Sequence, residues 1–192
     1  MIRIRRALPQ DAPGMGLVHV AAWRSSYAGI LPDQYLLGMS AVREAASYES
    51  GISARGQGHA AFVAVVGAED APPGARMPPH GLVVGFATGG RCRRPQIADG
   101  EIETLYVGDD WRDQGLGRRL LRAQAAYLRA MHCDSVLVWV LADNPSRWFY
   151  ERLGARAVAH ERIRVSGQEV TQQAMLWERV DSLLAATAGT AW

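Results

Sequence analysis

Hydrophobic and polar positions follow two periods along the chain, and each change of period marks an element. Ile2 and Ile4 alternate with arginines, which predicts a short edge strand ended by Pro9-Gln10-Asp11, with Asp11 placed to cap the first helix. From Met15, the apolar residues Leu17, Val18, Val20, Ala21, Ala22 and Trp23 recur at helical spacing to about Ser25. Gly29 and Pro32 break this helix; Pro32 suits the first turn of a second helix through Leu37, and Ala41 to about Ile52 predicts a third, more polar one. Gly56, Gly58 and His59 close the helical part. Ala61 to Val66 and Leu82 to Ala87 read as paired strands around a Pro- and Gly-rich loop, 67–80, and Gly89 to Gly100 as a second, basic loop.

The next strand breaks the rule of alternation. Ile102 lies on one parity while Leu105 and Val107 lie on the other. Either a β-bulge falls between Glu103 and Leu105, leaving backbone groups free for a ligand, or the strand is buried on both faces. A glycine turn and an apolar helix to about Met131 come next. Ser135 to Leu141 is continuously apolar, as expected of a strand covered on both faces beside a parallel neighbour. Asn144 and Pro145 read as N-cap and first residue of a short helix, Trp148 to Leu153, stopped by Gly154. Ala157 to Val165 and Glu169 to Trp177 form a closing hairpin about Ser166-Gly167, and the tail from Glu178 carries a last helical turn or frays. The class is α/β, a mixed sheet of about seven strands flanked by helices. One domain over 1–180 with a tail over 181–192 fits this order, which has no internal repeat.

Composition narrows the function classes. With 192 residues, 48% hydrophobic and 21% charged, the chain is long enough for one proper core. All 21 basic residues are arginine, which excludes Schiff-base chemistry on lysine, and a net charge of +2 is too small for a general nucleic-acid footprint. Cys92 and Cys133 are far apart without CxxC spacing, and the five histidines show no HxxxH spacing, so neither a disulfide framework nor a metal site is expected. The N-terminus lacks an apolar signal region, and no apolar run approaches a membrane span; a reducing cytoplasm is the expected compartment.

The glycine turn carries the first chemical signal. Asp113 can cap, while Gly115 and Gly117 strip side chains from the first helical turn and leave the amides from about Asp113 to Arg118 open to an anion. Two glycines there would cost about 1 kcal/mol each relative to alanine, which a binding role explains and a plain helix start does not. A Rossmann fingerprint needs a third glycine where Leu120 stands, and a P-loop needs a lysine the chain lacks.

What remains is Arg112-Asp113-Gln114-Gly115-Leu116-Gly117, after a Leu105-Tyr106-Val107 strand and before an apolar helix. Here the sequence strongly resembles the GCN5-related N-acetyltransferase (GNAT) family, in which this motif is Arg/Gln-x-x-Gly-x-Gly/Ala. WRSSYAGILP resembles the first helices of small bacterial members, and NPSRWFYERLGA their C-terminal Asn and Tyr motif, so the resemblance spans most of the chain.

The resemblance implies a GNAT-like fold and acetyl-CoA as cosubstrate, without a metal. It implies that pantetheine pairs with Leu105, Tyr106 and Val107, and that the pyrophosphate sits on the turn from Asp113 through Gln114, Gly115, Leu116 and Gly117 to Arg118, with Arg118 and Arg112 as candidates to add charge. Acyl transfer to an amine needs a base, an oxyanion site and a proton for the thiolate. Glu103, nearer the bulge, is the first candidate base and Glu101 the second; Tyr150 is the candidate acid. Asn144 is placed to bond the pantetheine arm, although it precedes Tyr150 by six positions where the commoner spacing is seven. Trp23 and Tyr27 stand where family members face the acceptor, a small-molecule or peptide amine. No nucleic acid or membrane partner is expected, a homodimer is compatible with the sequence, and the alternative function is a non-catalytic acyl-CoA-binding sensor on the same fold.

Overall fold

In the computed structural model, which describes residues 1–54, 58–67, 69 and 77–188, the two periods sort into strands and helices as their spacing requires. The strands are β1 (Arg3–Arg6), β2 (His59–Val66), β3 (Leu82–Arg91), β4 (Gly100–Val107), β5 (Val136–Leu141), β6 (Arg156–Val165) and β7 (Gln168–Trp177). The helices are α1 (Ala12–Ser26), α2 (Asp33–Gly38), α3 (Ala41–Ser53), α4 (Leu116–Ala130), α5 (Arg147–Arg152) and α6 (Val180–Thr187). Gly56 and most of the expected 67–80 loop lie outside the described residues. The strands form one sheet, ordered β1-β2-β3-β4-β5-β7-β6, antiparallel except where β4 meets β5.

That exception positions the site. β4 and β5 pair only over Gly100–Ile102 and Val136–Val138, although β4 continues to Val107 and β5 to Leu141. Past Ile102 the strands part, and the edge of β4 that faces β5 has no strand partner. Alternating side chains fill both faces of the sheet around this opening. Val63, Val65 and Phe86 pack with Met15, Val18 and Ile52 on the α1 and α3 side. Ala64, Val84 and Ala87 pack under Leu116 and Leu120 of α4. Leu121, Leu128, Val136, Met175, Trp177 and Leu183 form a third cluster beneath α4 and α6. Each fully buried Leu or Val contributes roughly 1.5–3 kcal/mol, so both halves of the split sheet are anchored independently of the gap.

Several expectations are corrected. Gly89 to Arg91 continue β3 instead of opening a loop, because the glycines mark close approach: a Cβ on Gly89 would collide with the Glu101 carbonyl and lie 2.7 Å from Gln124 Nε2. Asp11 occupies the N-cap position of α1 but makes no capping bond; its carboxylate accepts from Arg5 at 2.6 and 2.8 Å and from the Leu8 N–H. The cap of α5 falls at Ser146, two residues after Asn144, whose Oδ1 accepts the Ser146 N–H at 2.8 Å and shapes the turn instead. Of the two alternatives for the tail, Val180–Thr187 take the helical one over two turns: Leu183 of α6 is fully buried, and Arg118 and Arg122 donate to the Ala186 and Leu184 carbonyls at its C-terminal end.

One buried group ties this scaffold to pH. His19 of α1 is 9% exposed, and its Nδ1 lies 2.9 Å from the Tyr48 hydroxyl and 3.3 Å from Glu44. Burial lowers its pKa from 6.5 to about 4. Between those values the unfolded chain takes up a proton that the folded chain refuses, so stability is lost as pH falls through the window. By pH 4.5 the loss should be on the order of 2 to 3 kcal/mol. Urea midpoints at pH 7 and 4.5 should therefore drop further for the wild type than for His19→Gln; curves that fall in parallel would exclude His19 as the cause.

Candidate active site

The bulge in β4 falls at Glu103. Thr88 pairs with Thr104 and Gly89 with Ile102, so Glu103 is the extra residue opposite β3. The kink lies just where β4 leaves β5, and from there a groove of about 540 Å³ runs between the strands. Leu105, Tyr106 and Val107 line one side of it, Val138, Trp139 and Val140 the other, and the turn before α4 closes one end. The size is in the range of small-ligand sites.

The turn is shaped by left-handed backbone at two residues. Gly115 is the N-cap of α4 with φ +71°, and Asp113 is left-handed at φ +59°. This displaces the helix start from where an Asp113 cap would put it, and no side chain caps α4. The amides of Leu116, Gly117 and Arg118 therefore begin the helix with no intrahelical acceptor and no side-chain cap. Asp113, Gly115, Leu116, Gly117 and Arg118 all border the groove, while Gln114 turns away and donates to the Asp110 carbonyl. A helix N-terminus of this kind offers N–H donors and partial positive charge to a phosphate. Arg112 also borders the groove, but its guanidinium braces the end of α1, bonding Ser25 and Ser26 and pairing with Asp109 at 2.7 Å.

The two candidate carboxylates separate completely. Glu101 is 3% exposed, pairs with Arg93 at 2.6 Å and borders neither this groove nor the cavity beside Glu103. Glu103 borders both openings and lies 2.6 Å from His59 Nε2. Burial pushes its pKa up most strongly, yet the His59 hydrogen bond and charge, Arg93 and Thr88 together hold it below the ordinary value, so the carboxylate is ionised at neutral pH.

Tyr150 of α5 borders the groove with its ring buried edge-on against Phe149 and Trp177. Burial raises its pKa well above the ordinary phenol value, with the nearby Tyr27 adding to the rise, so it keeps its proton at neutral pH. Asn144 and Tyr27 also border the groove and interact through their side chains. Trp23 does not border it; its ring packs tilted against Tyr27, 4.8 Å between centroids, and it belongs to an apolar cluster with Leu31 and Leu36. Sequence reasoning missed His59, Tyr48 and Thr88. In the sequence His59 reads as the close of the helical part, whereas it opens β2; its position directly before an apolar strand is the available signal. No cluster of three or more His, Cys, Asp or Glu residues suited to a metal occurs among the described residues, and no helix among them is long and apolar enough to cross a membrane.

A mixed sheet opened between two parallel strands, with free strand edge, uncapped helix amides, carboxylate and phenol around one groove, is suited to an extended, phosphate-bearing ligand. The chain belongs to the Acetyltransferase (GNAT) family, whose model matches residues 36–155. The uncharacterized N-acetyltransferase YuaI of Bacillus subtilis is 29% identical over 95% of this chain and 96% of its own. Among solved structures, yncA of Salmonella typhimurium with its cofactor acetyl-CoA aligns with a TM-score of 0.65 at 20% identity, over 94% of this chain and 95% of that one. The paia N-acetyltransferase of Thermoplasma acidophilum in complex with coenzyme A aligns at 0.61 with 16% identity, over 90% and 98%. The GNAT-like fold expected from the sequence is thus the fold observed.

Proposed function

We propose that the enzyme transfers the acetyl group of acetyl-CoA to a primary amine by direct attack in a ternary complex. The observation that carries this reading is the continuity of the groove from the amides of Leu116 to Arg118, along the free edge of Leu105–Val107, to Glu103 and Tyr150. A pyrophosphate fits the first part, and a pantetheine arm adds to β4 as a further strand, the general mode by which extended ligands bind free sheet edges. Arg118 adds a cation at the turn, and Asn144 faces the arm from α5's side. Acetyl-CoA supplies the activated thioester; the protein orients it and moves the protons.

In this scheme the amine nitrogen forms a C–N bond to the acetyl carbon as the C–S bond breaks. The amine proton goes to Glu103, directly or through water, and Tyr150 gives its proton to the departing thiolate. Free N–H groups of β4 past the bulge are suited to the oxyanion. Glu101 is left as a structural partner of Arg93. The buried, unpaired Cys92 and Cys133 fit a reducing cytoplasm and lie outside the groove, so no acyl-enzyme is invoked.

Incubation with acetyl-CoA and a panel of amines, read by release of free thiol, tests this reading. Release should depend on the amine and reach on the order of 1 s⁻¹ or more with a good acceptor. Protein that acetyl-CoA stabilises against heat but that releases no thiol with any amine would instead be an acyl-CoA sensor.

A further inference from the structure

A second cavity, of about 210 Å³, opens beneath α3 and meets the groove at a single residue, Glu103, which borders both. Its walls divide by chemistry. Ala7, Ile52 and Ala61 give it an apolar side, while Tyr48, Thr88 and His59 surround Glu103 with hydroxyls and an imidazole. Thr88 Oγ1 is already tied to Thr104 Oγ1 at 2.8 Å, and His59 Nε2 to Glu103 at 2.6 Å, so the polar side is an organised network. Arg6 also borders the opening, but its guanidinium lies over the Tyr127 ring of α4, 5.2 Å from the centroid. Among the described lining residues no guanidinium turns inward. At about 210 Å³ against 540 Å³ for the groove, the cavity falls below the usual range of ligand pockets and suits a short amine of few non-hydrogen atoms better than a peptide.

We propose that this cavity is the acceptor site, and that the acceptor is a small free primary amine whose remainder carries no charge, an amino alcohol being the simplest example. The proposal deepens the acetyl-transfer reading and rests on it. At the junction, the amine donates a hydrogen bond to Glu103, which aims the nitrogen lone pair through the bulge toward the thioester. The far end of the molecule meets the apolar wall and the Tyr48 hydroxyl. A carboxylate in the same place would face Glu103, to which His59 and Arg93 are already committed, while the Arg6 guanidinium is held over Tyr127, so amino acids are disfavoured by desolvation and by like charge.

Three probes of related structure test it: 3-amino-1-propanol, β-alanine, which replaces its hydroxymethyl group by a carboxylate, and tetra-alanine. The wild type should acetylate 3-amino-1-propanol with kcat/KM at least tenfold above either of the others. Gly51 of α3 borders the cavity, and a Cβ there meets nothing within 4 Å. Gly51→Leu fills the opening while replacing a glycine inside a helix with a better helix former, so the variant folds. Its KM for the amine should rise at least tenfold with the KM for acetyl-CoA within twofold, and Ser47→Phe, one turn earlier on the same wall, should repeat this split. Saturation-transfer NMR of 3-amino-1-propanol provides a readout without turnover, and its signal should be lost in Gly51→Leu. Unchanged amine KM and NMR signal in both variants, or a preference for β-alanine or the peptide, overturns the assignment while leaving acetyl transfer intact. NMR binding that is sensitive to Gly51→Leu without thiol release from any amine would leave the cavity as an amine site and refute the acetyl-transfer reading.

Discussion

Replacing Glu103 by Gln should lower kcat by about two to four orders of magnitude, the usual range for loss of a general base, with little change in the KM for acetyl-CoA. The amide is nearly isosteric, and its oxygen can still accept from His59, so the bulge and the wall of the groove persist. What is lost is the negative charge that draws a proton from the incoming ammonium. His59, Arg93 and Thr88 hold the Glu103 carboxylate below its ordinary pKa, so in the wild type it is charged well into mildly acidic solution. The deficit of the variant should therefore be largest near neutral pH and shrink as pH rises toward the amine's own pKa, about 10 for an alkylamine, where solvent delivers the neutral nucleophile. Rate measurements from pH 6 to 10 on both proteins check this. A constant ratio across that range would mean that Glu103 positions the amine instead of deprotonating it, and equal rates would remove it from the mechanism. Glu101→Gln serves as contrast: it breaks the pair with Arg93 at 2.6 Å, so its effect should appear in stability before turnover.

The two glutamates also show where sequence reasoning stops. They are the same residue type, two positions apart on one strand, and what distinguishes them is the residue each finds in space. Glu101 finds Arg93 of the adjoining loop, while Glu103 finds His59, 44 positions earlier in the chain. No local pattern encodes a pairing of that separation. By contrast, the irregularity of β4 is visible in the sequence because a two-residue period cannot hold both Ile102 and Leu105 on one face. Parity leaves a bulge between Glu103 and Leu105 and a strand buried on both faces equally open, and the pairing puts the bulge one position earlier, at Glu103. The glycine turn before α4 is legible for a related reason: Gly117 stands against helix propensity in the first turn, while Gly115 proves to be the left-handed N-cap, where glycine costs little. Gly89 misleads because glycine signals both turns and close packing; only the Glu101 carbonyl and Gln124 behind it decide which. α6 is hard to read because its sequence carries no side-chain cap; its end is held by Arg118 and Arg122 of another helix. The acceptor cavity is unreadable in principle, as it is assembled from β1, α3, β2, β3 and β4.

Tyr150→Phe isolates the other half of the proton traffic. The substitution removes one oxygen from a side chain whose ring is 7% exposed and packed edge-on between Phe149 and Trp177, and Phe keeps those contacts, so stability should change by no more than about 1 kcal/mol. Turnover should fall about a hundredfold, as for the loss of a positioned acid. The physical reason is proton supply: the thiolate is protonated below about pH 8.5, and burial keeps the Tyr150 phenol protonated at every pH where the enzyme works. Burial also makes the phenol the weaker acid, so its hydroxyl acts by hydrogen-bonding the sulfur as charge develops there, with the proton replenished from water. A donor that does not need that proton should hide the loss. With the selenoester analogue of acetyl-CoA, whose selenolate departs unprotonated, Tyr150→Phe and wild type should differ by less than about threefold, against about a hundredfold with the thioester. If both donors show the same deficit, the hydroxyl orients the thioester and does not protonate the sulfur. If neither shows one, Tyr150 is a core aromatic that happens to border the groove, and the thiolate takes its proton from water.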